Sequence, residues 1–302
     1  MPLNNIILRL LKLIVSFLAL IALFSLINVK DLVTSLLTFN VFFLFIILIL
    51  TLLNVFLFVW AYRFILKNKL PLMENFLEYL VAWSFGLFIP GKLGELGIIP
   101  LLKEKYKIPY KFCGTAVVLP KIFLFLILFF FAVIFGITMV TFNYTFWIGI
   151  GILIIFLALF FWHKIERFLF RFAIFADLIN NKEKIREMLG LTNLAMLICV
   201  SLLRFFFIVV ITFLSYYGFG INVPLPAVVF GVAVAQMVSF IPITINGLGI
   251  REASFSGIMA ANGVPLSASI GAVSISLIVN YGVAILIIFI WNIFPFLHKK
   301  KM

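Results

Sequence analysis

The sequence predicts an all-α integral membrane protein: six or more transmembrane helices plus two broken, re-entrant helical hairpins, arranged as an inverted repeat. Three observations carry that prediction: an apolar composition, a phrase that occurs twice, and a lopsided placement of basic residues. With 66% hydrophobic and 11% charged residues and a mean hydropathy of +1.31, the chain has too few polar groups to surface a water-soluble globule. A single polytopic membrane domain over 1–302 is expected.

Crossing a hydrocarbon core of roughly 30 Å takes about 20 helical residues. Runs of that length occur near 6–28, 36–62, 112–141, 144–162, 191–218 and 266–295. The first is too long for a signal-peptide core and no small-residue cleavage site follows it, so it is read as a retained span. Two more apolar stretches, 74–102 and 225–262, are interrupted by Pro90-Gly91, Gly94, Gly97 and Pro100, and by Pro242, Gly247 and Gly249. Neither reads as one continuous helix.

Those interruptions lie within the repeated phrase. Phe88-Ile89-Pro90-Gly91-Lys92-Leu93-Gly94-Glu95 returns as Phe240-Ile241-Pro242, leading through Gly247-Leu248-Gly249-Ile250 to Arg251-Glu252. Ile108-Pro109 follows the first copy and Val264-Pro265 the second, each opening a long apolar run. A repeat at fixed offset implies duplicated structural units, here over approximately 36–141 and 191–295.

Charge placement sets the expected topology. With the broken stretches taken as re-entrant, eighteen lysines and arginines fall on one face, among them Arg63, Lys103, Lys105, Lys107, Lys111 and Lys299, and Lys30 alone falls on the other. The positive-inside rule then puts both termini in the cytoplasm of a cell membrane. On this topology the first hairpin enters from the cytoplasm and the second from outside, which carries both Gly-Glu elements toward the midplane. Transporters place substrate sites at such repeat interfaces, on the N-termini of half-helices. Trp60, Trp162 and Trp291 close spans on the cytoplasmic side and Trp147 opens one outside, as an interfacial belt requires. Residues 163–190 alternate basic and apolar positions at helical spacing, which suits a helix lying on the anionic inner leaflet. The net charge of +13 is thereby assigned to the membrane surface, not to nucleic acid.

A charge at a helix centre costs about 2.5–3.5 kcal/mol on insertion scales, so six residues demand explanation: Lys92, Glu95, Lys121, Arg204, Arg251 and Glu252. Arg204 lies about 20 Å along its span, too deep to reach water, whereas Lys121 is shallow enough to reach the cytoplasmic interface. Helix neighbours one apart do not face each other, so Arg251 and Glu252 are expected to find partners elsewhere; cross-repeat pairing is one solution, for instance Glu95 with Arg251 and Glu252 with Lys92 or Arg204. Four cations against two anions, beside the positive ends of short helices starting near Leu93 and Leu248, favour a ligand with phosphate or another anionic head group. The competing reading is structural. A glutamate in a first turn caps backbone N–H groups, and Gly94, Gly247 and Gly249 permit close helix contact. Gln236, Asn246 and Asn280 either line the cavity or make packing hydrogen bonds.

At these residues the chain resembles the transmembrane region of lysylphosphatidylglycerol synthases and the stand-alone flippase-like proteins related to it. Pro90-Gly91-Lys92-Leu93-Gly94-Glu95 is similar to that family's Pro-Gly-Arg/Lys-x-Gly-Glu element. Residues Pro242 to Glu252 resemble its Pro-x-Ser/Thr-x-x-Gly-x-Gly-x-Arg-Glu element. The resemblance implies movement of a lipid, in relatives an aminoacylated one, between leaflets. The chain departs from the pattern at Ile98, where a basic residue is frequent, at Pro120-Lys121, where many relatives carry Glu-Arg, and at Asn280, near a frequent Arg. No transferase domain is recognised in these residues, so lipid aminoacylation is not expected.

The function expected is translocation of an anionic or zwitterionic lipid, either an aminoacylated phospholipid or a polyprenyl-phosphate glycan carrier. Two other classes stay open: an ion-coupled small-solute transporter, and an accessory membrane subunit of a lipid- or glycan-modifying enzyme. No nucleophile elbow, HExxH or phosphate loop is present, and Cys113 and Cys199 form no metal pattern with His163 and His298. No catalytic residue, metal or cofactor is expected. The expected partners are membrane lipids.

Overall fold

A computed structural model describes residues 39–67, 70–89, 93–139, 190–241 and 244–293. The expected spans at 6–28 and 144–162, the 163–190 surface helix, Trp147, Trp162 and Lys92 lie outside the described residues. The described part is helical and contains no β-strand.

Four long helices, four short ones and one 3₁₀ segment follow one another. Helix α1 is Val41–Ile65, capped by Asn40, whose side chain accepts from the Phe42 amide at 3.0 Å. Just past its C-cap Leu66 the chain turns at Lys67, where φ is +58°. Helix α2 is Leu72–Gly86, begun by Pro71. A 3₁₀ turn, Leu93–Gly97, leads into α3, Ile98–Tyr106. The short helix expected from about Leu93 thus becomes α-helical only at Ile98, because Gly94 and Gly97 are poor helix formers. Helix α4 is Tyr110–Met139 and contains Pro120. After the gap come α5, Leu191–Tyr217, and α6, Leu225–Ser239. The turn to α7, Ile250–Ala261, needs positive φ at Asn246 (+50°), Gly247 (+78°) and Gly249 (+83°). Helix α8 is Leu266–Ile293.

Helices α1, α4, α5 and α8 are long and apolar enough to cross a membrane; α1, at 25 residues, is about 37 Å long. They carry phenylalanines outward at Phe42, Phe45, Phe130, Phe206 and Phe289, the bulk that lipid tails solvate. Four spans and the absence of any soluble domain among the described residues make the chain a multi-pass membrane protein.

The order long, short, short, long occurs twice, and the two sets interleave. Helix α1 packs along α5. The first short helix of each set lies against the last long helix of the other: α2 on α8, and α6 on α4. Three apolar cores result among the described residues. One gathers Phe58, Tyr62, Tyr79, Ile98, Leu102 and Leu197; a second gathers Leu128, Phe205, Val228, Ala233 and Met259; a smaller third holds Phe39, Ile47, Ile211, Ile275 and Val279. The space between the two sets of helices is lined by polar residues from both.

Glycines set two of the close approaches. A Cβ on Gly94 would lie 2.5 Å from the Gly86 Cα, so this pair lets the 3₁₀ turn rest directly on α2. Gly94→Ala is expected to push that turn away and lower stability by about 1–3 kcal/mol, the usual effect of overpacking. Thermal unfolding in detergent checks this, and an unchanged midpoint would contradict it.

Candidate functional site

A cavity of about 200 Å³ opens between the two sets of helices, and both contribute to its walls. Thr51, Asn54 and Phe58 come from α1, Tyr79 from α2 and Glu95 from the 3₁₀ turn. Arg204 and Thr212 come from α5, Gln236 from α6, Asn246 and Arg251 from the second break, and Ser276, Asn280 and Tyr281 from α8. Most other lining is aliphatic or aromatic, so the chamber is a polar spot within apolar walls.

Glu95 is delivered by the Gly86–Gly94 contact. Its Oε2 accepts from the Tyr79 hydroxyl at 2.8 Å and is ion-paired with Lys121. Lys121, one residue past Pro120, points inward onto Glu95 and lies 5.0 Å from the Phe58 ring centroid. This corrects two expectations, that Lys121 reaches the interface and that Glu95 pairs with Arg251. The physical reason is that an inward anion within one side-chain length stabilises a buried ammonium more than a long reach toward water does.

Glu252 takes the opposite kind of position. It is 1% exposed, and its Oε2 accepts from the Gly249 amide at 2.7 Å, capping the start of α7. Its Oε1 accepts from Arg251 Nε at 2.8 Å and Nη2 at 2.5 Å. The expectation that these neighbours do not meet is therefore corrected, as is pairing of Glu252 with Arg204. In the first turn the glutamate folds back toward the helix start to cap it, and the long arginine curls round to the same place. The structural account of this glutamate holds, and it has a second consequence: the cap fixes Arg251, which lines the cavity, while Glu252 stands behind it. Gly247 allows the turn to close, since a Cβ there would lie 2.7 Å from the Ser239 Cβ. Gly249 supplies the capped amide.

Arg204 is held differently again. Its Nε donates to Asn54 Oδ1 at 3.2 Å, Asn54 Nδ2 donates back to the Arg204 carbonyl at 2.9 Å, and its guanidinium lies 4.9 Å from the Phe58 ring centroid. It forms no ion pair with a described residue, and its buried Nη1 has no hydrogen-bond partner among the described residues. A buried charged donor without an acceptor is costly, which makes this atom the most chemically exacting point of the chamber.

Gln236, Asn246 and Asn280 all reach the cavity, and Asn280 also donates to the Ser276 carbonyl at 2.6 Å. Tyr281 donates to the Leu87 carbonyl at 3.1 Å, tying α8 to the first break, with Asn246 beside the same hydroxyl. Sequence reading missed Tyr79, Asn54, Phe58 and Gly86. Asn54 alone carried a signal, as an amide deep in an apolar run.

Away from the cavity, α3 is fastened to α2 by Lys105, which pairs with Glu74 and with Glu78 at 2.5 Å. Burial works to lower the Lys105 ammonium, but the hydrogen bonds to Glu74 and Glu78 outweigh it and raise its pKa. Tyr106 is pushed up to about 12 by burial and by the Glu78 charge.

No curated protein matches the chain. The model for the lysylphosphatidylglycerol synthase TM region matches residues 9–288, and the chain belongs to that family.

Proposed function

We propose that the chain moves a lipid between leaflets by passing its head group through this cavity while the tails stay in the bilayer. The observation that carries the reading is buried Arg204, which lines a chamber that also receives Glu95 and Arg251 and whose Nη1 has no hydrogen-bond partner among the described residues. A phosphate admitted beside Arg204 supplies an acceptor for a guanidinium that has no ion-pair partner among the described residues, and Arg251 offers a second cation to the same group. A volume of about 200 Å³ has room for a phosphate and a few carbons, while the acyl chains stay outside.

The expected topology completes the reading. With both termini cytoplasmic in a cell membrane and the two units inverted, the breaks at 90–97 and 242–249 enter from opposite faces and the cavity sits near the midplane. The exchanged packing of α2 on α8 and α6 on α4 supports two related units that rock against each other. Glu95 and Lys121, tied to each other, form a pair that an arriving phosphate can open by drawing Lys121 toward itself. The chain acts here as a carrier and not as an enzyme.

The small volume also suits an ion-coupled solute transporter, and vesicles separate the two. Reconstituted protein is expected to speed the loss of fluorescence of a labelled anionic phospholipid to dithionite from one-half toward completion. Uptake of soluble phosphate compounds without lipid movement would favour the solute reading.

A further inference from the structure

Resting on that translocase reading, we propose that the cavity selects a phospholipid whose head group carries one net negative charge with neutral hydroxyls beyond the phosphate, and that it rejects head groups bearing an ammonium. The described charges in or against the chamber are Lys121, Arg204 and Arg251, offset by Glu95 and Glu252. Two pairs cancel, Lys121 with Glu95 and Arg251 with Glu252, and the surplus among the described residues is the positive charge on Arg204. One phosphodiester matches that surplus.

An ammonium finds no counterpart. Both Glu95 and Glu252 are engaged: Glu95 Oε2 by Tyr79 and Lys121, and Glu252 by three donors while almost wholly buried. Neutral lining oxygens can accept from an ammonium but bring no counter-charge to a chamber that is already positive, and the other means of holding a cation there is an aromatic face. Phe58 is already approached by Lys121 at 5.0 Å and by Arg204 at 4.9 Å. A third cation there meets like charge in a low dielectric.

The rest of the lining suits hydroxyls. Asn280 and Thr212 donate to backbone carbonyls at 2.6 and 2.9 Å, which leaves the Asn280 amide oxygen and the Thr212 oxygen lone pairs turned to hydrogen donors. A glycerol or sugar hydroxyl supplies such donors without charge.

The test compares phosphatidylglycerol, phosphatidylethanolamine and lysyl-phosphatidylglycerol, each labelled on an acyl chain, in vesicles containing the full chain. Phosphatidylglycerol is expected to move roughly tenfold or more faster than either ammonium-bearing lipid, the effect of about 1.4 kcal/mol. Equal rates for all three would overturn the selectivity and leave translocation standing. Movement of none would overturn translocation itself and this inference with it. Arg204→Gln, with folding followed by thermal unfolding, is expected to lose most of the preference; a folded variant that keeps it would overturn the assignment to Arg204. If that variant does not fold, the three-lipid comparison on the unaltered chain decides.

Discussion

Glu252→Gln is expected to bring lipid movement down to the rate of protein-free vesicles and to destabilise the fold by about 3–5 kcal/mol, the usual effect of leaving one partner of a buried ion pair uncompensated. The glutamine keeps most of the volume and still offers one oxygen to the Gly249 amide, so the start of α7 is preserved in part. What disappears is the anion that both Nε and Nη2 of Arg251 address. Arg251 then turns to other acceptors and no longer holds its place on the cavity wall. A second substitution separates position from stability. Glu252→Gln with Arg251→Gln removes the uncompensated charge, so the unfolding midpoint is expected to recover while lipid movement does not. Recovery of both would show that the pair serves only the fold.

Glu95→Gln is expected to slow movement roughly tenfold to a hundredfold, the range for losing a charge-assisted hydrogen bond of about 1.5–3 kcal/mol. The Tyr79 hydroxyl keeps an oxygen to donate to, but Lys121 loses its counter-ion, and the chamber gains a second uncompensated cation beside Arg204. An anionic head group is then held more tightly and released more slowly. Thermal unfolding with added phosphatidylglycerol checks the first half as a larger upward shift than in the unaltered chain, and the dithionite rate checks the second. Faster movement in the variant would contradict the role given to the Glu95–Lys121 pair.

The sequence made the membrane class, four of the spans and both breaks legible, because each depends on local rules: run length, proline and glycine placement, and the location of basic residues. It also singled out Arg204, Arg251 and Glu95, since buried charge is costly wherever it occurs. The partners were not legible. Lys121 meets Glu95 through a turn seated on α2 by Gly86 and Gly94, and nothing local foretells that seating. The Arg251–Glu252 contact ran against the rule for helix neighbours because that rule describes the body of a helix. In the first turn, a glutamate folded back to cap Gly249 draws an adjacent arginine with it. Asn54 stood in plain view in an apolar run, but its function of clamping Arg204 from 150 positions away depended on α1 packing along α5.

The central claim is that a lipid head group passes through the chamber between the two helical sets. Thr212 lines it and donates only to its own helix, so Thr212→Cys in a Cys199→Ser background offers a thiol at the passage, with Cys113 buried in the core. Lipid movement is to be measured before and after complete reaction with a bulky thiol reagent, the extent being read by mass. The account predicts that the unreacted variant still moves phosphatidylglycerol well above the rate of protein-free vesicles and that the fully labelled one falls to that rate. Full labelling with an unchanged rate would contradict it.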